Sequence, residues 1–325
     1  AIGILPMAYR FNGSVIEMYK NQLRSTLQIL KKHNYIILVL PALLVYGIFI
    51  IFPFLNSIRY SFYEWSGVGP MTFIGLGNYH TVFFGVLRVY FFRAVQHNLF
   101  AFVMNFALQT IFGLGLALAL YTVKKGSNLY KTVFFIPNTL STVIVGFLWN
   151  LLLNPQWGMI NRFFELIGCG FLAKPWLGDP KLALPTILVV SAWRGMGFPI
   201  LVYLAALLAI PEELVEAARI DGAKGPQVVR HIYFPLILPT MFTLMTLSFI
   251  WTFNMFDLIF ALQGASAGPN YATDVLGTLF YRITFGGMGA TATGMGLGAA
   301  IAVVTFAILL PVSYLLNRIS RRFEL

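Results

Sequence analysis

Charge is scarce in this chain. Only 10% of its 325 residues are Asp, Glu, Lys or Arg, against about 25% in a soluble domain. That deficit excludes an ordinary water-soluble domain. Acid is scarcer than base, with 11 carboxylates against 22 Lys and Arg. A single cysteine, Cys169, excludes an intrachain disulfide and gives no reading of redox compartment. No G-x-x-x-x-G-K-[ST] run occurs, so the chain has no phosphate-cradling loop of its own. His33, His80, His97 and His231 do not pair at ligand spacing within one apolar run, which argues against haem. No Cys/His cluster suggests zinc. Carboxylates inside the apolar runs, the usual relays of an ion-driven carrier, reduce to Asp257 near the end of one run.

What is abundant is apolar: 58% of the residues are hydrophobic, with 31 Phe, 15 Tyr and 6 Trp. Six runs are long enough to cross about 30 Å of hydrocarbon as helices. They are Tyr35–Ile58, Asn98–Val123, Thr132–Leu153, Leu182–Ala209, Leu236–Leu262 and Thr293–Leu316. Lipid offers backbone groups no partner, so the expected fold is an all-α, multi-pass integral membrane protein with six spans. The net charge of +11 reads as cytoplasmic loops rather than nucleic-acid binding. With both termini on one side, that side holds fourteen Lys and Arg and the other seven, while Arg194 lies mid-span. The bias places both termini in the cytoplasm.

Residues 1–34 form a cytoplasmic tail without the apolar core of a signal peptide, so the first span is expected to be an uncleaved anchor. Val15, Ile16, Tyr19, Leu23, Leu27 and Leu30 approximate one helical face there, as in a helix lying on the inner membrane surface or packed on the protein. Residues 35–325 are the transmembrane domain. No soluble domain, low-complexity region or clear repeat is visible. Residues 59–92 and 154–181 read as outer loops. Small residues at Gly294-x-x-x-Gly298 allow close helix packing, against another subunit or within the chain.

One stretch, residues 210–239, breaks the apolar pattern with seven charged side chains between Glu212 and Arg230: IPEELVEAARIDGAKGPQVVRHIYFPLILP. Pro211 suits a helix start, Glu212 and Glu213 suit its positive end, and Asp221-Gly222 is a turn signal. A second short helix is expected from Pro226 through Ile232, ending at a Phe234-Pro235 break. Ala217 and Ala218 leave room for a partner's walls, and Glu216 offers a carboxylate to a cation.

The order Glu216-Ala217-Ala218, Asp221-Gly222-Ala223, Ile232, Pro235, Pro239 resembles the loop that marks permease subunits of bacterial ABC importers. Stretches at 40–65, 73–83, 130–161 and 193–223 extend the resemblance over nearly the whole chain, toward the oligosaccharide branch related to maltose permease. This chain differs from that protein in having six spans rather than eight and no large outer insertion. The resemblance implies the type I importer permease fold and a cytoplasmic coupling helix around Glu216–Gly222 seated on an ATPase subunit. It implies a second permease subunit making a heterodimer, two copies of the ATPase that hold ATP and magnesium, and an extracytoplasmic solute-binding protein. It gives the chain itself no catalytic residue, metal or cofactor, and places it in the bacterial inner membrane. Two other classes, an ion-coupled secondary carrier and a non-translocating assembly subunit, leave the 210–239 segment unexplained.

The same resemblance places a sugar path on three spans, at Asn138 and Thr142, at Ser191, Arg194, Gly195 and Phe198, and at Trp251, Thr252 and Met255. Aromatic faces there stack on pyranose rings, and hydroxyl and amide groups bond sugar hydroxyls. Arg194 stands where the relatives have an apolar residue, and Thr252 and Met255 where they have amides. An arginine at a helix centre costs about 2.5–3.5 kcal/mol on insertion scales. Arg194 therefore pairs with Asp257, snorkels, or favours an acidic sugar of the alginate type through a charge-assisted bond.

Overall fold

The structure is a computed structural model, and it describes residues 34–123, 126–286 and 292–323. The amphipathic tail segment expected within 1–34 lies outside the described residues, apart from Asn34. The chain divides into two units, Ala1–Asn56 and Ser57–Leu325.

Helix α1 (Asn34–Tyr46) continues through a π-helical turn, Gly47–Ile51, into α2 (Phe52–Tyr60). At the turn, the Phe52 N–H donates to the Gly47 carbonyl five residues back. The wider register falls just before Pro53, which has no N–H and whose ring would crowd the carbonyl four residues earlier. The stretch Val39–Tyr60 is long and apolar enough to span a membrane. Leu43, Ile48, Phe49 and Phe52 are more than half exposed, as side chains meant for lipid are.

In the second unit, β1 (Tyr63–Glu64) pairs antiparallel with β2 (Thr72–Phe73) ahead of α3 (Gly77–Phe83). Next comes α4 (Arg88–Thr122), whose 35 residues make a rod about 52 Å long at 1.5 Å per residue. It begins ten residues before the expected Asn98. Arg88, Arg93 and His97 dilute the hydropathy there, yet Phe91, Ala94, Asn98, Ala101 and Asn105 hold one buried helical face. The run expected as a single span at Thr132–Leu153 is instead α5 (Ser127–Thr139) and α6 (Thr142–Leu152), bent by 94°. Pro137 sits in the last turn of α5, and Leu140 and Ser141 are extended; Asn138, Thr139, Ser141 and Thr142 interrupt the apolar run at this bend. A short α7 (Met159–Leu166) follows. Helices α8 (Ala183–Gly195) and α9 (Gly197–Leu208) meet at a 50° bend. Pro199, without an N–H, lies just past it. A Cβ on Gly197 would fall 2.7 Å from the Phe134 carbonyl oxygen, so glycine there lets α9 close on α5.

The charged segment forms α10 (Glu212–Ile220) and α11 (Gly225–Val228). A second π-helical turn, Val229–Tyr233, leads directly into α12 (Phe234–Phe253). The expected break at Phe234-Pro235 is therefore no break. Phe234 N–H donates to Val229 carbonyl, the same device that precedes Pro53. The span expected at Leu236–Leu262 divides at Asn254–Phe256 into α12 and α13 (Asp257–Gln263). The remaining helices are α14 (Leu276–Phe285) and α15 (Met295–Ser320). Among the described residues four helical stretches are long and apolar enough to cross a membrane, and each bent pair adds one more, giving up to six.

Among the described residues four apolar clusters hold the second unit together, the smallest of them, Ala101, Leu184 and Leu188, between α4 and α8. Phe91, Phe249, Phe253, Leu279, Ile283, Leu297 and Ile301 join α4, α12, α14 and α15. Val145, Ile187, Val190, Leu258, Ile259 and Leu262 join α6, α8 and α13. Leu120, Leu204, Leu207, Val215, Val228, Tyr233 and Ile237 join α4 and α9 to the charged segment and α12. The glycine face of α15 is used inside the chain: a Cβ on Gly296 would strike the Tyr63 carbonyl, and one on Gly298 the Thr284 hydroxyl.

Candidate functional site: an exposed loop and a central cavity

The charged segment is rooted inside and bare outside. Glu212 and Glu213 occupy the first turn of α10 and Arg219 the last, each opposite in sign to its end of the helix. Gly222 closes it at φ +84°, donating its N–H to Arg219 carbonyl at 3.0 Å, while Ala223 N–H reaches Ala218 carbonyl at 2.9 Å. This pair of bonds is a Schellman closure. A Cβ on Gly222 would meet nothing within 4 Å, so the demand for glycine comes from the backbone alone. Lys224 N–H then donates to Gln227 Oε1 at 2.7 Å and starts α11. Val215 and Val228 are buried in the cluster shared with α4, α9 and α12. Glu216, Ala217, Asp221 and Gly222 are exposed, and Ala218 and Ala223 half-buried. Ile220 is 86% exposed and Leu214 48%. Behind the turn is a concavity of about 340 Å³ lined by Ala218, Asp221, Gly222, Ala223, Gln227 and His231, among others.

The second feature is a cavity of about 410 Å³ among α4, α5, α6, α8, α9 and α12, with the start of α13. Asn138, Thr142, Ser191, Arg194, Gly195, Phe198, Trp251, Thr252 and Met255 all line it. Phe198 and Trp251 meet edge to face with centroids 5.5 Å apart, and Trp251 is 47% exposed, so an indole is presented to the space. Thr252 is the least available of the nine. It is buried, its hydroxyl donates to Ser248 carbonyl at 2.8 Å, and its own carbonyl accepts from Asn98. Arg194 makes no ion pair with Asp257. Its Nη2 donates to the carbonyl of Leu140, at the 94° bend, at 3.3 Å, and its Nε is buried without a partner.

Sequence reasoning missed Asn105 and Gln109 on α4, Ser248 on α12, Asn254 at its C-terminal cap, and the cavity side of Asp257. A signal for the first two was present: amides at 98, 105 and 109, spaced by seven and four, stripe one face of an otherwise apolar helix. The first of that stripe, Asn98, is fully buried. It donates from Nδ2 to Thr252 carbonyl at 2.7 Å and accepts Leu276 N–H on Oδ1 at 2.8 Å, tying α4, α12 and α14.

Beside this tie lies the other helix-borne arginine inside the fold. Arg282 and Asp274 are both 1% exposed and joined by two bonds of 3.1 and 2.6 Å. Thr278 donates its hydroxyl to Asp274 at 2.8 Å. The guanidinium also sits 4.7 Å from the Tyr271 ring centroid, and His97 Nδ1 lies 2.7 Å from the Asp274 carbonyl oxygen.

Residues 109–324 match the family described as binding-protein-dependent transport system inner membrane component. The chain is 34% identical to the probable ABC transporter permease protein YurN of Bacillus subtilis (strain 168), over 86% of this chain and 92% of that protein. It is 30% identical to the trehalose/maltose transport system permease protein MalF of Thermococcus litoralis, over 93% of this chain and 98% of that one. Its fold is similar to a chain in the crystal structure of a bacterial ABC transporter involved in the import of the acidic polysaccharide alginate. There the TM-score is 0.75 at 25% identity, covering 95% of this chain and all of that one.

Proposed function

The chain belongs to the family of binding-protein-dependent transport system inner membrane components, and from that premise we propose that it is one half of the pore of an ATP-driven oligosaccharide importer. One observation carries the reading: α10 and its glycine turn are bare on one side and rooted on the other in the cluster that holds α4, α9 and α12. Force applied to Glu216, Ala217 or Asp221 passes through Val215 and Val228 into the membrane helices. Such an element suits a partner whose shape depends on nucleotide state, because only contacts that differ between two states shift an equilibrium. The partners that complete this reading are a second permease subunit, two ATPase copies holding ATP and magnesium, and an extracytoplasmic binding protein that delivers the solute. The chain itself supplies a path and a gate without catalysis. It lies in a bacterial inner membrane with the 210–239 loop and both termini on the cytoplasmic side, as the surplus of Lys and Arg on that side supports.

The central cavity is the substrate path in this reading. The exposed indole of Trp251 offers a stacking face, and the amides of Asn138 and the hydroxyls of Ser191 and Thr142 offer bonds to sugar hydroxyls. The relatives named for trehalose and maltose support a sugar. The unsaturated guanidinium of Arg194 favours an acidic one, as does the fold neighbour that imports alginate.

The test begins with copurification. An ATPase recovered at equal count with total permease chains supports the assembly, and its absence sinks it. In reconstituted vesicles Glu216→Lys is expected to leave the complex in the membrane while ATP hydrolysis no longer drives uptake. Wild-type uptake by that variant would count against a coupling role. Uptake of maltotriose and of trimannuronate by wild type and Arg194→Ala separates neutral from acidic substrates.

A further inference from the structure

Three of the six buried side-chain polar atoms left without a partner among the described residues belong to this one cavity: Asn105 Oδ1, Arg194 Nε and Ser248 Oγ. Leaving a buried acceptor or donor unsatisfied is costly, so native folds keep few of them. Their gathering on one space marks a place where something else completes the bonding. Asn105 is 2% exposed. Its Nδ2 donates along its own helix to Ala101 carbonyl at 3.2 Å, which leaves the carbonyl oxygen as the unsatisfied end. One turn further on is Gln109, whose Nε2 stands against Gly195, 3.2 Å from where a Cβ would be. Gly195 is thus the gap through which an α4 amide reaches the wall that carries Arg194.

We propose that Asn105 and Gln109 are specificity-determining residues on α4 that bond hydroxyl groups of the passing solute. A carboxamide carries both a donor and an acceptor, and a sugar hydroxyl is both as well, so the pair can bond in either sense. Arg194 on the adjoining wall can only donate. The two walls therefore divide the task, one reading charge and the other hydroxyl pattern. This inference rests on the cavity being the sugar path.

The test uses the complete assembly, with its partner permease, ATPases and binding protein, in vesicles. The probes are maltotriose and trimannuronate. Asn105→Leu and Gln109→Met keep volume and remove the amides. Each is expected to lower uptake of whichever probe the wild type carries by about tenfold, the scale of one buried hydrogen bond. The double variant is expected to lose more, while ATPase copurification and thermal melting hold. Asn105→Gln, which keeps an amide, is expected to retain more uptake than Asn105→Leu. Unchanged uptake in the double variant overturns the proposal, as does joint loss of uptake and assembly, which would mark a packing role. The parent reading fails separately. If Asn138→Ala with Arg194→Ala and Trp251→Ala leaves uptake intact, the cavity is not the sugar path.

Discussion

Arg282 and Arg194 both project from helices of an otherwise apolar fold, yet they live in different surroundings. Arg282 is sealed, with two bonds to Asp274 and a tyrosine face at 4.7 Å. Arg194 borders a cavity with one long bond to a backbone carbonyl and an empty Nε. A saturated buried pair resists change, because removing either partner strands a charge. The Arg194 guanidinium borders the cavity with donor capacity unused, the feature on which its proposed substrate contact rests. The contrast separates a region that holds the chain in shape from the cavity proposed as the substrate path.

Breaking the sealed pair should have the largest effect. Asp274→Ala strands the Arg282 charge and should cost about 3–5 kcal/mol, seen as loss of folded protein from membranes or a collapsed melting transition. Adding Arg282→Met to Asp274→Leu should recover most of that loss. A double variant as unstable as the single would show that the pair does more than neutralise itself. Next comes Asn98→Leu, which leaves Leu276 N–H unpartnered at about 1–3 kcal/mol, while the Thr252 carbonyl keeps Met255 N–H at 3.3 Å. It should lower the melting temperature without altering which sugar is carried. Gly222→Val forces a branched side chain into a left-handed turn at about 1–2 kcal/mol. The fold should survive, and the ratio of sugar moved to ATP hydrolysed should fall. Gly222→Asn, tolerated in that conformation, should fall less. The smallest change in stability belongs to Arg194→Met, within about 1 kcal/mol because only one long bond is lost. Its signature is functional: uptake of an acidic oligosaccharide should drop while melting stays put. A melting loss as deep as that of Asp274→Ala would erase the contrast between the two arginines.

The charged loop was readable from sequence because its determinants are local. Pro211, the glutamates after it and Asp221-Gly222 act within a few residues of where they stand. The spans were readable as apolar lengths, but not the angle between their halves. Leu140 and Ser141 are extended within the polar stretch from Pro137 to Thr142, which marks an interruption but does not say by how much α5 and α6 diverge. The Phe-Pro pairs at 52–53 and 234–235 look like breaks, yet the chain widens its register ahead of each and continues. The Asp274–Arg282 pair spans eight residues, a spacing that no helix rule singles out, and Asn98 finds its partners more than 150 residues away. The nine cavity residues were placed through family likeness, and the structure brings them to one space. The α4 wall was missed because attention followed the spans where that likeness put contacts. Asp257, weighed as a partner for Arg194, lines the same space without pairing with it.

Helix α4 carries Asn98 near one end, Asn105 and Gln109 at the cavity, and Ala117 and Leu120 in the cluster that roots the charged loop. A spar of about 52 Å from its 35 residues thus threads the Asn98 tie, the central cavity and the cluster beneath the charged loop. Gly113 and Gly115, between the cavity and the loop cluster, are its weakest points, and the packing of Gly113 against Pro199 and Tyr203 is what braces the helix there. A kink introduced along the spar, by a proline for example, would shift these stations relative to one another.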